Sequence, residues 1–273
     1  MADQNSPAVL RVDAHAHVMR RDHPVIPNAR HRPDHDALME DLLSLHDRHC
    51  ISHGVLTAPS IYGADNSLLL AALAAAPRRL RGTIIIDSHI TRDAVDAFAR
   101  QGVVGIRFNM LRRHDLPDLR APEWRRALAH VAGAGWHIEI YVEGSRLPGL
   151  LQPALDSGAK VVVDHFGSPD PKLRLQCPGF CALLDAMAKG RTWTKLSAPY
   201  RLGGTDPIPY AQALLRAGGP ERLVWASDWP WTQHSAGLDY AAVLGWLDQW
   251  VPEPARRAQI LGATAHSLFG FAA

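Results

Sequence analysis

Three short stretches of this chain carry the residues best suited to chemistry. Asp13-Ala-His15-Ala-His17 places two imidazoles two residues apart in an apolar run, and side chains two apart on a strand share a face. A core strand has little reason to carry two imidazoles in register, since each needs a polar partner once buried. Val161-Val-Val-Asp164-His165-Phe166-Gly167 and Trp225-Ala-Ser227-Asp228-Trp229-Pro230 end two other apolar runs with a histidine and an aspartate. A lone histidine at a strand end is more often structural, but the pair on the first run tips His165 to the functional reading. Asp228 also admits a helix-capping role, although Pro230 and Trp231 intervene before a helical pattern resumes. Brought together, His15, His17, His165 and Asp228 could activate a water and stabilise charge on an acyl oxygen. His15, His17 and Asp228 could instead hold one divalent cation such as Zn²⁺ or Mn²⁺, with water in the open position.

Three arginines fall near the same places. Arg107 lies inside the strand-like Gly105-Ile-Arg107-Phe-Asn109, Arg113 follows six residues later, and Arg201 ends Leu196-Ser-Ala-Pro-Tyr200-Arg201. A guanidinium inside a buried strand must meet an anion. For Arg107 that anion is either a substrate or an internal acid such as Glu139, and Arg113 and Arg201 also read as solvated loop charges. Acting together, the three would cradle a substrate with more than one carboxylate, which arginine matches in bidentate fashion. Tyr141 shares a strand face with Glu139 and Glu143, but alternation leaves open whether that face looks inward. Ser60 lies just past the second strand.

The elements that must position these groups alternate along the whole chain. Strand patterns occupy Val9–Val18, Gly54–Pro59, Gly82–Asp87, Val103–Asn109, His137–Val142, Lys160–His165, Thr192–Ser197 and Arg222–Ser227. Helical spacing fills the gaps, first in a stretch that opens with Pro33 and carries Leu38, Leu42 and Leu45. It recurs over Asn66–Ala76, Thr91–Gln101, Pro122–Ala134, Leu147–Ser157, Pro178–Lys189, Asp206–Ala217, Gly237–Trp250 and Pro254–Leu261. Gly102, Gly135, Gly158 and Gly190 read as helix stops. Continuous apolar runs such as Val161-Val-Val suit parallel strands buried on both faces. Eight such units in 273 residues predict an α/β fold with one domain over residues 1–273, a single (β/α)₈ TIM barrel whose chemistry sits at the C-terminal ends of the strands. Glycine-rich phosphate loops are absent from the sequence, which removes the commonest nucleotide readings.

Composition narrows the class further. The formal net charge of +2 leaves no electrostatic footprint for nucleic acid or a membrane surface. The longest apolar run, Leu68–Ala76, is far short of a membrane span. Cys50, Cys177 and Cys181 are too few and odd in number for a disulfide framework, Met1–Leu10 lacks a secretory pattern, and a cytoplasmic protein is expected. Cys177 and Cys181 form no zinc motif. The loops Met19–Arg32 and Met110–Ala121 are the least interpretable, and solvent exposure is expected for His23, His31, His35 and His114. The sequence leaves oligomeric state open, although any exposed tryptophan among Trp229, Trp231, Trp246 and Trp250 could serve the interface of a homo-oligomer.

The paired histidines, the later histidine and the final aspartate resemble the amidohydrolase superfamily. Val12-Asp-Ala-His-Ala-His-Val18, Pro59-Ser-Ile-Tyr-Gly63, Gly105-Ile-Arg-Phe-Asn109, Val163-Asp-His-Phe-Gly167, Lys195-Leu-Ser-Ala-Pro-Tyr-Arg201 and Ser227-Asp-Trp-Pro230 further resemble its lactonase-like branch, which includes 2-pyrone-4,6-dicarboxylate lactonase. The resemblance implies that Asp228 is the general base on water, that His15, His17 and His165 polarise the lactone carbonyl, and that Arg107, Arg113, Arg201, Tyr141 and Ser60 bind a carboxylated small-molecule substrate. It implies no metal: the usual strand-four and strand-five ligands of the superfamily are replaced by Arg107 and Tyr141. The alternatives are a metal-dependent hydrolase or decarboxylase of the same superfamily, a sugar lactonase, or a non-catalytic barrel that binds a carboxylate.

Overall fold

The computed structural model describes residues 10–271. Eight parallel strands, β1 (Val12–Ala16), β2 (His53–Thr57), β3 (Leu80–Ile84), β4 (Val103–Asn109), β5 (His137–Tyr141), β6 (Lys160–Val163), β7 (Thr192–Leu196) and β8 (Leu223–Trp225), pair in sequence order. The seam between β8 and β1 closes just past the strand ends, where the Asp228 N–H donates to the His15 carbonyl (2.9 Å) and the His17 N–H to that of Trp229 (2.8 Å). The result is a (β/α)₈ barrel. The helices are α1 (Met39–Arg48), α2 (Ser67–Ala75), α3 (Arg92–Arg100), α4 (Pro122–Gly133), α5 (Pro148–Asp156), α6 (Pro178–Ala188), α7 (Ile208–Gly218) and α8 (Tyr240–Trp250), then α9 (Pro254–Gln259) and α10 (Ala265–Phe269) around a π-turn at Ile260–Thr264. Gly102, Gly135, Gly158 and Gly190 all take positive φ at helix ends, as the stop signals require.

Most expected elements are found with ends displaced by a few residues; Val9 lies outside the described residues. The largest shift is at α1, which begins at Met39 rather than near Pro33 because Ala37 is taken up in an antiparallel bridge to Met19. Trp229, Trp231 and Trp250 are buried and Trp246 is half-buried, so the exposure considered for these rings is corrected; Trp250 of α8 packs edge-on against Phe166 (5.0 Å). All three cysteines are free. Among the described residues no helix is long and apolar enough to cross a membrane.

The barrel lumen is layered. Val12, Ala14, Val55, Val162 and Val224 form an apolar floor against Leu268 and Phe269 of α10. Above it, Arg107, Glu139, Asp164, Lys195 and His15 form a fully buried ionic layer. His137 lies at its edge, its ring occupying the space that a side chain at Gly105 would need. β1 carries one extra residue against β2 between Asp13 and Ala16. Such a bulge breaks the alternation of faces, so Asp13 turns outward while His15 reaches the lumen. There Asp13 Oδ2 accepts from the Tyr240 hydroxyl of α8 (2.8 Å) and lies 3.4 Å from His46 Nε2 of α1. Its Oδ1 accepts from the backbone N–H of Ser227 (2.9 Å) and of His15 (3.3 Å). One outward carboxylate thus fixes the backbones that carry His15 and Asp228.

Candidate active site

His15, His17, His165 and Asp228 converge above the ionic layer. Asp228 Oδ1 lies 3.5 Å from His15 Nε2, 3.7 Å from His17 Nε2 and 3.7 Å from His165 Nε2. That oxygen is buried and accepts no hydrogen bond. Oδ2 is engaged instead, by the Tyr200 hydroxyl (2.7 Å), Arg201 Nε (2.9 Å) and the Arg201 terminal amino group (2.9 Å). The carboxylate is therefore held by one oxygen and presents the other to three imidazoles. Asp228 caps no helix. It and His165 take left-handed backbone conformations, with φ of 57° and 48°, which for non-glycine residues cost about 1–3 kcal/mol each and are retained where their surroundings enforce them.

The hydrogen bonds fix which imidazoles donate. Lys195 Nζ donates to His15 Nδ1 (2.8 Å), so a neutral His15 carries its proton on Nε2, facing Asp228. His17 Nδ1 lies 2.6 Å from the Thr57 carbonyl, which only accepts, so a neutral His17 presents a bare Nε2. That atom accepts from His15 Nε2 across 3.1 Å. His165 Nδ1 meets the Ser197 hydroxyl at 2.8 Å, and with Ser197 as donor its Nε2 also carries a proton. The three imidazoles are thus not equivalent: the His15 proton is shared with His17, and His165 Nε2 is the donor left free for the cavity.

Electrostatics agree with this assignment. Burial lowers the His165 pKa to about 4, partly opposed by the carboxylates of Asp228 and Asp164. Burial, then the Lys195 ammonium, pushes His15 well below the ordinary imidazole value. Burial opposes ionisation of Asp228, but the Arg201 guanidinium and the neighbouring histidines outweigh it and hold the carboxyl well below the usual range. Asp164 is held low in the same way by Lys195, His15 and Arg107, also against its burial. Lys195 contacts Glu139 and lies 3.1 Å from Asp164 Oδ1. Sequence reasoning missed Lys195 as a site residue, although a lysine inside an apolar strand carried the signal used for Arg107.

A cavity of about 630 Å³ opens over these groups, lined among others by Ser60, Arg107, Tyr141, Tyr200 and Arg201. The Tyr141 face therefore looks inward, and its ring meets His165 edge-on at 4.7 Å. Arg107 is engaged internally, its Nε 3.1 Å from Glu139 Oε1 and a terminal amino group 2.9 Å from Asp164 Oδ2. Arg113 does not line the cavity; the turn that follows β4 presents Arg112 instead, and the Arg113 carbonyl accepts from Arg146 (2.7 Å). His31 is half-buried and lines the cavity beside Arg30, which corrects its expected exposure. Burial, then Arg30, lowers its pKa. Nothing in the sequence distinguished Arg30 from its loop neighbours.

His15, His17 and Asp228 have the number, type and spacing of ligands for one divalent cation, and the bare Oδ1 suits one. Their protonation does not. While Lys195 donates to Nδ1, His15 directs an N–H at the position the cation would take, and a ligating imidazole needs a lone pair there.

The sequence and fold have recognisable relatives. A 2-pyrone-4,6-dicarboxylate hydrolase of Comamonas testosteroni is 29% identical over 91% of this chain and 85% of its own. A structure from Pseudomonas putida, assigned as a 2-pyrone-4,6-dicarboxylic acid hydrolase, is 36% identical, covers 97% of this chain and 99% of its own, and superposes with a TM-score of 0.89. One from Acinetobacter baumannii, assigned the same activity and holding citric acid, is 32% identical over 96% and 99%, with a TM-score of 0.88. The amidohydrolase family profile matches residues 12–271, and with its paired histidines at the end of β1 and its aspartate after β8 this chain belongs to the amidohydrolase family.

Proposed function

We propose that this chain hydrolyses a carboxylated lactone of the 2-pyrone-4,6-dicarboxylate type, in the breakdown of aromatic compounds. The observation that carries this reading is the bare, buried Oδ1 of Asp228 facing three imidazoles while Oδ2 is held by Tyr200 and Arg201. A water seated there gives its proton to Oδ1 as its oxygen attacks the lactone carbonyl. His165 donates from Nε2 to the oxygen on which charge develops, and the His15 N–H, shared with His17, lies beside it. The tetrahedral intermediate then collapses, the ring C–O bond breaks to release a stabilised enolate, and the proton on Oδ1 passes to that leaving group, which restores the Asp228 carboxylate. Tyr141, Ser60 and Arg201 orient the substrate from the cavity wall, with Arg107 setting the field beneath. The acid-holding relative supports a carboxylate ligand, and the three free cysteines suit a cytoplasmic enzyme.

The ligand-like spacing of His15, His17 and Asp228 favours one second reading, a metal-dependent hydrolase of the same family. Asp228→Asn separates the two in a panel of lactones with and without carboxylates. The amide keeps an oxygen for Tyr200 and Arg201 but offers no base, so kcat should fall by roughly 10²–10⁴-fold with KM little changed. Near-native turnover by this variant would remove the base assignment. Activity abolished by chelation and restored by Zn²⁺ or Mn²⁺ would select the second reading.

A further inference from the structure

Four guanidinium groups line the cavity, those of Arg30, Arg107, Arg112 and Arg201, and their charges are not equally available. Arg107 lies against Glu139 and Asp164, and Arg201 against Asp228. Both are compensated by the chain's own carboxylates. Arg30 has no carboxylate within ion-pair distance among the described residues. The acidic side chains of the cavity wall are committed elsewhere: Glu143 to Arg146 and the Arg112 backbone, Asp170 to the backbone of Lys172 and Leu173.

Arg30 is nonetheless ordered. Its terminal amino groups donate to the Leu111 carbonyl (3.3 Å), the Ser60 hydroxyl (3.2 Å) and Asn109 Oδ1 (3.3 Å). These are three neutral acceptors at the long end of hydrogen bonding. They brace the guanidinium over the ends of β2 and β4 without neutralising it. Arg112 is exposed as Arg30 is, but its side chain makes no hydrogen bond to a described residue, so nothing holds it in place. A charged fork, aimed into a cavity and held only by weak neutral contacts, is pre-organised for a planar anion.

We propose that Arg30, on the loop between β1 and α1, is the specificity-determining residue that receives a second anionic group of the substrate, remote from the scissile ester. This rests on the lactonase reading above and adds to it. The distal carboxylate exchanges the long bonds to Ser60 and Asn109 for a charge-assisted pair, and the Ser60 hydroxyl, once released, can donate to the same anion. Arg107, buried and doubly paired, acts through the field of the ionic layer and does not hold the substrate.

The test is Arg30→Met with a matched pair of lactones, one carrying a carboxylate remote from the ester and one lacking it. One lost charge-assisted contact corresponds to roughly 10- to 150-fold. That loss should appear in kcat/KM for the substrate with the remote carboxylate, mainly through KM, and be absent within a few-fold for its partner. Arg30→Lys should restore part of it. Loss of equal size on both substrates would make Arg30 a loop brace and overturn the proposal. Binding of citrate by calorimetry provides an arm independent of turnover: it should weaken by a similar factor in Arg30→Met, and unchanged affinity would also overturn the proposal. Should the native enzyme bind citrate through Arg30 yet open no lactone, the anion site stands and the lactonase reading fails.

Discussion

Acidification from pH 6.5 to 5.0 should destabilise the fold through groups that the barrel keeps uncharged. His15, His137 and His165 are buried and neutral, with pKa values pushed well below 6.5, to about 3 and to about 4 respectively. For all three, burial is the chief cause. The unfolded chain protonates each near pH 6.5, so below that pH the unfolded state binds more protons and native stability falls. Glu139 acts in the opposite sense. Burial, then the charge of Asp164, raises it to about 7, so it takes up its proton in the native state first and adds stability as the pH falls from 7 to 4.5. Asp164 and Asp228 are held below their ordinary values, so their contribution is lost only below about pH 4, outside the window. Among the fully buried groups, three losses against one gain give a net uptake on unfolding that rises from about one proton at pH 6.5 to about two at pH 5.0, a slope steepening to about 2.7 kcal/mol per pH unit and about 3 kcal/mol over the interval. Guanidinium chloride unfolding followed by circular dichroism at several pH values reads this slope directly. His137→Gln, which leaves the cavity lining untouched, should reduce the slope by one proton, about 1.4 kcal/mol per pH unit. Stability that is flat or rising toward pH 5.0, or an unchanged slope in that variant, would refute the neutral-histidine assignment.

Two further outcomes follow from the ionic layer. Lys195→Met leaves Glu139 and Asp164 with Arg107 alone, and should lower unfolding free energy by about 3–5 kcal/mol. Adding Glu139→Gln should recover part of that loss, and a melting temperature unchanged by Lys195→Met would contradict the charge balance assigned to the ionic layer. Because Lys195 directs a proton onto His15 Nε2, protein purified without chelator should carry substoichiometric zinc and manganese by elemental analysis. Chelation should leave kcat unaltered; about one equivalent of metal with chelator-sensitive turnover would show that His15 presents a lone pair instead.

The sequence reveals the architecture because the strands are mostly apolar runs alternating with helical spacing, and four helices end at a glycine stop. His15, His17, His165 and Asp228 are legible for a related reason: polar groups at the ends of such runs have to share one rim. Side-chain pairing across the lumen is less visible. Alternation alone places Asp13 with His15, and the bulge in β1 separates them. For Arg107 the sequence leaves a substrate and an internal acid such as Glu139 both open, and Asp164, 57 residues away in sequence, is the partner it does not reveal. The displacement from Arg113 to Arg112 arises in an irregular turn, where one residue of register decides which side chain enters the cavity, and Arg30 depends on a loop whose path no periodicity encodes.

The bonds that join the last stave of the barrel to the first are made by the peptide groups of His15 and Asp228 themselves and of their neighbours His17 and Trp229. Making the ring whole and arming it are consequently a single event. A nascent or partly opened ring has its acid and its imidazoles on separate flaps, so it should be inert toward esters rather than merely slow. Turnover then reports, molecule by molecule, whether the circle has closed.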